Sequence, residues 1–369
     1  MRMNKILLNN VLKAAWIVCA WLCATCALAQ ERVYADGECE FIPGGDLETQ
    51  YISINMENAT YAYVAYQMDI VLPEGLELAY DEGDPDIWID NTKFYVKKGS
   101  PNHQLSIRVT NNTIRVICAS LNNDTFYSRS GELFVIGVTA SPYLKPGDVK
   151  VELRNVTFSD IDLNGPTYDS FEPSTVGTAS STSTLTLKVS ASNKFSTCIL
   201  PFDAQLPAGL EAYSCEDTEG NNLVLTQQSS MQAFTPYIVY APSGFDGTLT
   251  GTVDATQYQA TVTNGYLTGT VVKTEVTGDA ENYVLQNQGE GPMFYRVGDT
   301  SFAIPAGKCW LTLPASLQGV AAFQLHRPTG IETIPVSTLD ANILYDLSGR
   351  RIAQPAKGVY IVGGKKVVK

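Results

Sequence analysis

An all-β fold is predicted: an N-terminal sandwich, a second β-rich domain and a short C-terminal β-hairpin region. Three observations predict it. Thr, Ser, Val, Tyr and Gly are abundant in the 369 residues, a composition that suits strands and their turns. No long run repeats apolar residues at helical spacing. Short alternating segments recur between Gly and Asn clusters, the spacing of a sandwich.

The chain begins with a segment that is not part of this fold. Arg2, Lys5 and Lys13 form a positive start, residues 14–29 carry no charge, and Ala27-Leu28-Ala29 is a small-x-small pattern before Gln30. The uncharged run is shorter than the roughly 20 residues of a spanning helix. Residues 1–29 therefore read as a cleaved signal peptide, with an N-terminal anchor as the alternative. Val, Leu or Thr precedes Cys19, Cys23 and Cys26, which disfavours a lipoprotein. No later segment is apolar enough to span a bilayer, so no transmembrane segment is expected after cleavage.

Charge narrows the partners. The chain carries 25 basic and 38 acidic residues, a net charge of -13, and loss of the signal removes three further positive charges. Such a balance argues against nucleic acid, whose binding rests on Lys and Arg neutralising phosphates. It also argues against an anionic membrane surface. Cys39, Cys118, Cys198, Cys215 and Cys309 remain after the signal. Export would permit disulfides, but the number is odd and no C-x-x-C spacing suggests zinc. Buried unpaired thiols are the competing reading.

In YAYVAYQMDIVLPEGLEL, residues Ala62, Val64, Tyr66, Met68, Ile70 and Leu72 fall on one face of a strand and look like core. Tyr61, Tyr63, Ala65, Gln67, Asp69 and Val71 fall on the other. Pro73 and Gly75 end the strand. Further strands are predicted at Leu105–Thr110, Thr113–Ala119, Glu132–Ala140 and Val149–Phe158. The small polar run STVGTASSTST reads as a linker, placed at 176–184 between a sandwich over 30–175 and a second domain over 185–328. In that domain, strands are predicted at Leu185–Val189, Thr197–Pro201, Pro236–Tyr240, Gly247–Val253, Gln259–Thr263, Tyr283–Gln286 and Cys309–Leu313. Residues 329–369 form the tail, with strands at Ile343–Leu347 and Gly358–Val362 and a third at Lys365–Lys369. LPEGLE at Leu72–Glu77 and LPAGLE at Leu206–Glu211 echo one another, either through shared turn chemistry or through a duplicated domain.

Three resemblances follow from quoted stretches. ISINMENATYAYVAYQMDIVLPEGLEL, NTIRVICASLNNDTFYSRSGELFVIGVTA and VELRNVTFSD resemble the succession of strands in a cohesin-type sandwich, a fold shared with some cellulose-binding modules, over about Glu31–Thr175. The resemblance implies docking of dockerins or binding of glycans. FSTCILPFDAQLPAGLEAY, FTPYIVYAP, NYVLQNQGEGPMFYRV and IPAGKCWLTLP resemble a β domain of exported proteins of Gram-negative bacteria. YDLSGRRIAQPAKGVYIVGG resembles the C-terminal sorting signal of type IX secretion, carried by Tyr345, Asp346, Gly349, Arg350, Gly358, Tyr360 and Ile361 with Lys365 and Lys366 behind them. It is shorter than a complete sorting domain, and a plain terminal hairpin is the alternative. The resemblance implies passage through the type IX machinery to the cell surface or beyond.

Catalytic signatures are absent from the sequence. His103 and His326 lie in different domains, and there is no G-x-S-x-G, H-E-x-x-H or P-loop. No enzyme is expected, although two acids suitably spaced would suffice for a glycoside hydrolase. The expected function is an exported, non-catalytic binding protein for a polysaccharide or a surface protein. Glycan binding or adhesion is placed first, through Tyr61, Tyr63, Trp88 and Tyr95, whose rings can stack on sugars. A docking scaffold using Tyr61, Tyr63, Gln67 and Asp69 is second. No cofactor is expected. Calcium is a candidate metal, since Asp160, Asp162 and Asn164 begin a D-x-[DN]-x-[DN]-G loop; its twelfth position is Phe171 instead of Glu, so a plain turn competes.

Overall fold

The computed structural model describes residues 31–45, 49–79, 94–96, 102–126, 128–278, 281–298, 300–317 and 319–327, together with four short strands of the tail. The first domain is a two-sheet sandwich. Its strands are β1 (Arg32–Asp36), β2 (Cys39–Phe41), β3 (Gln50–Glu57), β4 (Ala65–Val71), β5 (Leu76–Leu78) and β6 (Phe94–Val96). They continue with β7 (His103–Thr110), β8 (Thr113–Ser120), β9 (Gly131–Ala140), β10 (Gly147–Ser159), β11 (Thr167–Ser170) and β12 (Ser174–Ala179). One sheet runs β1-β3-β9-β5, with β6 also paired to β9; the other runs β2-β12-β10-β4-β8-β7, with β11 on β10.

The alternation predicted for β4 sets the packing. Tyr66, Met68 and Ile70 point inward and are buried, as are Ile114 and Val116 of β8, Val156 and Phe158 of β10, and Ile52, Ile54, Phe134 and Ile136 of the facing sheet. Fully burying side chains of this size stabilises by about 1.5–3 kcal/mol each. The predicted strands over 105–158 are present, each within two residues of its expected ends. The predicted face fails only at its edge, where Ala62 precedes the strand and is exposed.

The echo LPEGLE/LPAGLE is one turn used twice. Leu76 N donates to Pro73 O at 3.0 Å and Leu210 N to Pro207 O at 3.1 Å. Gly75 and Gly209 sit at φ 87° and 85°, the left-handed third position that a type II turn reserves for Gly.

The expected linker is instead strand. Ser174–Ala179 pairs with β10 antiparallel and β2 parallel, and Thr182–Val189 pairs with Phe245–Thr252. Thr alternates there with Val176, Leu185, Leu187 and Val189, all buried, and β-branched Thr suits the pleated surface. Small polar composition was a misleading cue. Only Ser180 and Ser181 lie between the two strands. Ser180 N donates to Phe41 O in the first domain at 2.8 Å, and Ser181 O accepts from Val253 N in the second at 2.8 Å.

The second domain is built on a ten-stranded sheet. Its order is Phe195–Ile199, Pro236–Tyr240, Glu211–Glu219, Asn222–Gln228, Ala322–His326, Pro292–Arg296, Asn282–Asn287, Lys308–Thr312, Leu267–Thr270 and Thr261–Asn264. The sheet curls on itself: Ile199 N donates to Gly307 O at 3.3 Å and Cys309 N to Thr197 Oγ1 at 3.1 Å. All seven strands predicted here are found, but five strands of this sheet, Glu211–Glu219, Asn222–Gln228, Leu267–Thr270, Pro292–Arg296 and Ala322–His326, were not anticipated.

The first domain contributes a side chain to the second. Tyr143, in the turn after β9, is buried in the second core. Its hydroxyl donates to Ile199 O at 3.3 Å, and its carbonyl accepts from Tyr258 Oη at 2.8 Å. Gly307 permits this: at φ 81°, a Cβ there would lie 2.0 Å from the Tyr143 hydroxyl. In the tail, where a hairpin region was expected, four short strands form a sheet in the order Arg351–Ile352, Leu344–Tyr345, Val359–Val362, Lys365–Val368.

Candidate functional site

The outer face of β10-β4-β8-β7 carries the clearest charge pattern in the first domain. Its inward side chains are core, so outward positions fall at every second residue. One transverse row reads Arg154, Asp69, Arg115, Arg108 across four neighbouring strands. The next row reads Thr157, Gln67, Ile117, Ser106. Ile117 is 45% exposed and Gln67 is exposed.

Asp69 is held inside this row. Arg115 grips it bidentately, Nε to Oδ1 at 2.7 Å and Nη2 to Oδ2 at 2.6 Å, and Asn155 Nδ2 donates to Oδ2 at 2.8 Å. Asn155 reaches it from a bulge in β10, where its backbone adopts φ 50°. The Arg115 guanidinium keeps the Asp69 carboxyl below the usual range against the burial that raises it, and the Asn155 amide adds to the lowering. Arg154 pairs with Glu152 at 2.6 Å. Arg108 makes no ion pair among the described residues, yet stands directly opposite Arg115. Like charges in that register are destabilising.

Two expected site residues are buried instead of exposed. Tyr63 is 1% exposed. It stacks on Phe158 with ring centroids 4.6 Å apart and donates to Glu31 Oε2 at 2.9 Å. Burial, then the Glu31 carboxylate, pushes its phenol well above its ordinary value. Tyr63 lies ahead of β4 in irregular backbone, so the parity of the strand does not extend to it. Asp69 is 6% exposed because Arg115 and Asn155 close over it. Tyr61 is 50% exposed, its ring edge toward Tyr63 at 6.3 Å. Trp88 lies outside the described residues, and Tyr95 lies in β6. Of the four aromatics named, the two with described side chains are thus split between the surface, Tyr61, and the core, Tyr63.

Asp160 serves its own turn. Its Oδ1 accepts from Asp162 N at 2.9 Å and Asn164 N at 2.8 Å, and its backbone N donates to Asn164 O at 2.7 Å. That is an Asx turn, and among the described residues no group of three acids, Cys or His could hold a metal. All five Cys are buried free thiols, with burial pushing Cys198 and Cys215 up to about 12. His103 stacks on Phe126 at 4.4 Å. Of the sorting-signal residues, Tyr345, Tyr360, Lys365 and Lys366 lie in tail strands; Asp346, Gly349, Arg350 and Gly358 lie outside the described residues. No described helix is long and apolar enough to cross a membrane.

The arginines were the missed residues. SIRVTNNTIRVI contains them in mirror image about Asn111-Asn112, so hairpin pairing alone sets Arg108 against Arg115.

No protein-family model and no curated protein sequence matches the chain. Solved structures similar to it are cohesin modules. A non-cellulosomal cohesin from Archaeoglobus fulgidus is 18% identical, with TM-score 0.27 over 41% of this chain and 87% of that one. A cohesin module from a family 33 glycoside hydrolase of Clostridium perfringens is 10% identical, with TM-score 0.30 over 40% and 96%. A type I cohesin–dockerin complex from Clostridium thermocellum gives 17% identity and TM-score 0.28 over 41% and 97%.

Proposed function

We propose that this is an exported, non-catalytic binding protein whose first sandwich docks an acidic surface of a partner protein on the outer face of β10-β4-β8-β7. The observation that carries the reading is the transverse row of three arginines with its single sunken acid. Asp69 and Glu152 neutralise two of them, and Arg108 has no ion-pair partner among the described residues, on a chain of net charge -13. Such a patch steers an anionic partner and fixes its register. The neighbouring Gln67, Ser106 and Thr157 are short or neutral and leave the face open around Ile117. The resemblance of this segment to cohesins implies the same class of activity. Export follows from the signal-like residues 1–29, and the tail's likeness to a type IX signal supports a surface or extracellular destination in a Gram-negative bacterium.

The test is retention of secreted proteins on the immobilised full chain, compared with Arg108→Glu and Gln67→Arg. One dominant partner, held by the unmodified chain, released by salt and lost on Arg108→Glu, is expected. Equal retention by all three chains rules this face out. A glycan array run on the same samples separates the competing reading, since strong glycan binding unaffected by Arg108→Glu would return the function to carbohydrate recognition.

A further inference from the structure

A small pocket in the second domain presents a lysine ammonium and side-chain amide donors. It has a volume of about 220 Å³ and is lined by Asn193, Phe195, Ser196, Leu285, Gln286 and Lys308, among others. The Lys308 ammonium donates to Ser196 Oγ at 3.1 Å and Thr197 O at 3.4 Å, which fixes its position with a third proton to spare. Lys308 has no acidic partner among the described residues.

The side-chain amide oxygens around it each already accept a hydrogen bond. Asn193 Oδ1 accepts from Asn287 Nδ2 at 2.8 Å, Asn287 Oδ1 from Gly289 N at 3.0 Å, and Gln286 Oε1 from Gln288 Nε2 at 3.1 Å. The Asn193 and Gln286 NH₂ groups keep their donors. A half-buried cation and two amide donors therefore converge with the Phe195 ring, itself packed on Tyr240 at 4.7 Å. Glu290, on the turn of the same hairpin, is exposed.

We propose that this pocket binds one carboxylated sugar unit, of the hexuronate type. The carboxylate would meet Lys308, the ring would lie against Phe195, and hydroxyl or ring oxygens would accept from Asn193 and Gln286. Three features select this ligand. The free amide donors favour a ligand rich in acceptors, and a cation with no acidic partner among the described residues favours an anion. The volume is below the roughly 300–1,000 Å³ of sites for larger small molecules, which fits a single ring. The apolar face of a pyranose complements an aromatic side chain. This site is independent of the arginine face, being in the other domain.

The experiment titrates the full chain with oligogalacturonate and with the neutral galactose oligomer, by calorimetry at low and moderate salt. Oligogalacturonate should bind at least about tenfold more tightly than the neutral oligomer, and Lys308→Gln should weaken it by about tenfold or more. Asn193→Leu and Gln286→Ala are partly exposed positions that keep the test valid should Lys308→Gln lower the melting temperature; each should weaken binding severalfold. Equal affinity for neutral and acidic oligomers, no binding to either, or undiminished binding in all three variants overturns the proposal. Displacement by polyglutamate as effective as that by oligogalacturonate also overturns it, since the pocket would then recognise carboxylates without the sugar.

Discussion

The two domains differ in what they take from each other. The first core is made wholly from residues between Val33 and Ala179. The second includes Tyr143, which belongs to the turn after β9. Among the described residues, the first core closes on its own side chains, whereas the second is completed by a neighbour's ring. A boundary drawn through residues 176–184 separates two chains of strands, but it does not separate two independent cores.

The strongest way to break this comparison is Ile70→Asp. It sets an unpaired charge among fully buried side chains and should unfold the first sandwich outright. Because Tyr143 then loses its frame, the second domain should also melt earlier. A second transition at its original temperature would show that the second domain does not depend on the first.

Tyr143→Ala is the next largest. Loss of a buried aromatic ring costs about 3–5 kcal/mol, and here the loss should fall on the second domain while the first transition stays in place. Calorimetry of the full chain resolves the two.

Asp69 gives the smallest effect and concerns the first domain alone. Its folded carboxyl is held below its ordinary value, so its contribution is present above the unfolded pKa and is lost as pH falls through the folded one. The first transition should move down below about pH 4. In Asp69→Asn, which costs about 1–2 kcal/mol at neutral pH through the lost charge-assisted bonds, that acid-driven shift should shrink. An unchanged pH profile would show that Arg115 and Asn155 do not govern the carboxyl.

Local patterns carried the first sandwich well and the site poorly. Period-two alternation and Pro-x-Gly-Leu turns are properties of a few adjacent residues, so β4, β7, β8, β9 and β10 were readable. Asp69 is sunk by Arg115 and Asn155, 46 and 86 residues away, a separation that no window of alternation samples. Glu211–Glu219 escaped because EDTEG is rich in residues depleted from strands; pairing with Asn222–Gln228 and Pro236–Tyr240 overrides that preference. Ser174–Thr184 misled in the opposite direction, since its Ser/Thr content obscured strands that place Val176, Ala179 and Ser183 inward. The Lys308 pocket gathers residues from 193 to 308, and only the curled sheet brings them together.

The junction at Ser180-Ser181 has a mechanical consequence. Two residues span at most about 7 Å, and each is already tied to a different domain. Tension applied beyond the second domain would reach the first with no slack to absorb it. It enters through β12, paired with β10 along its length and with β2 over Gly177–Ala179, so the load is shared by several hydrogen bonds in shear and does not unzip them singly. With one sandwich gripped by a partner and the far end of the chain held, the molecule would behave as a taut coupling, passing force between its two attachments instead of paying out chain.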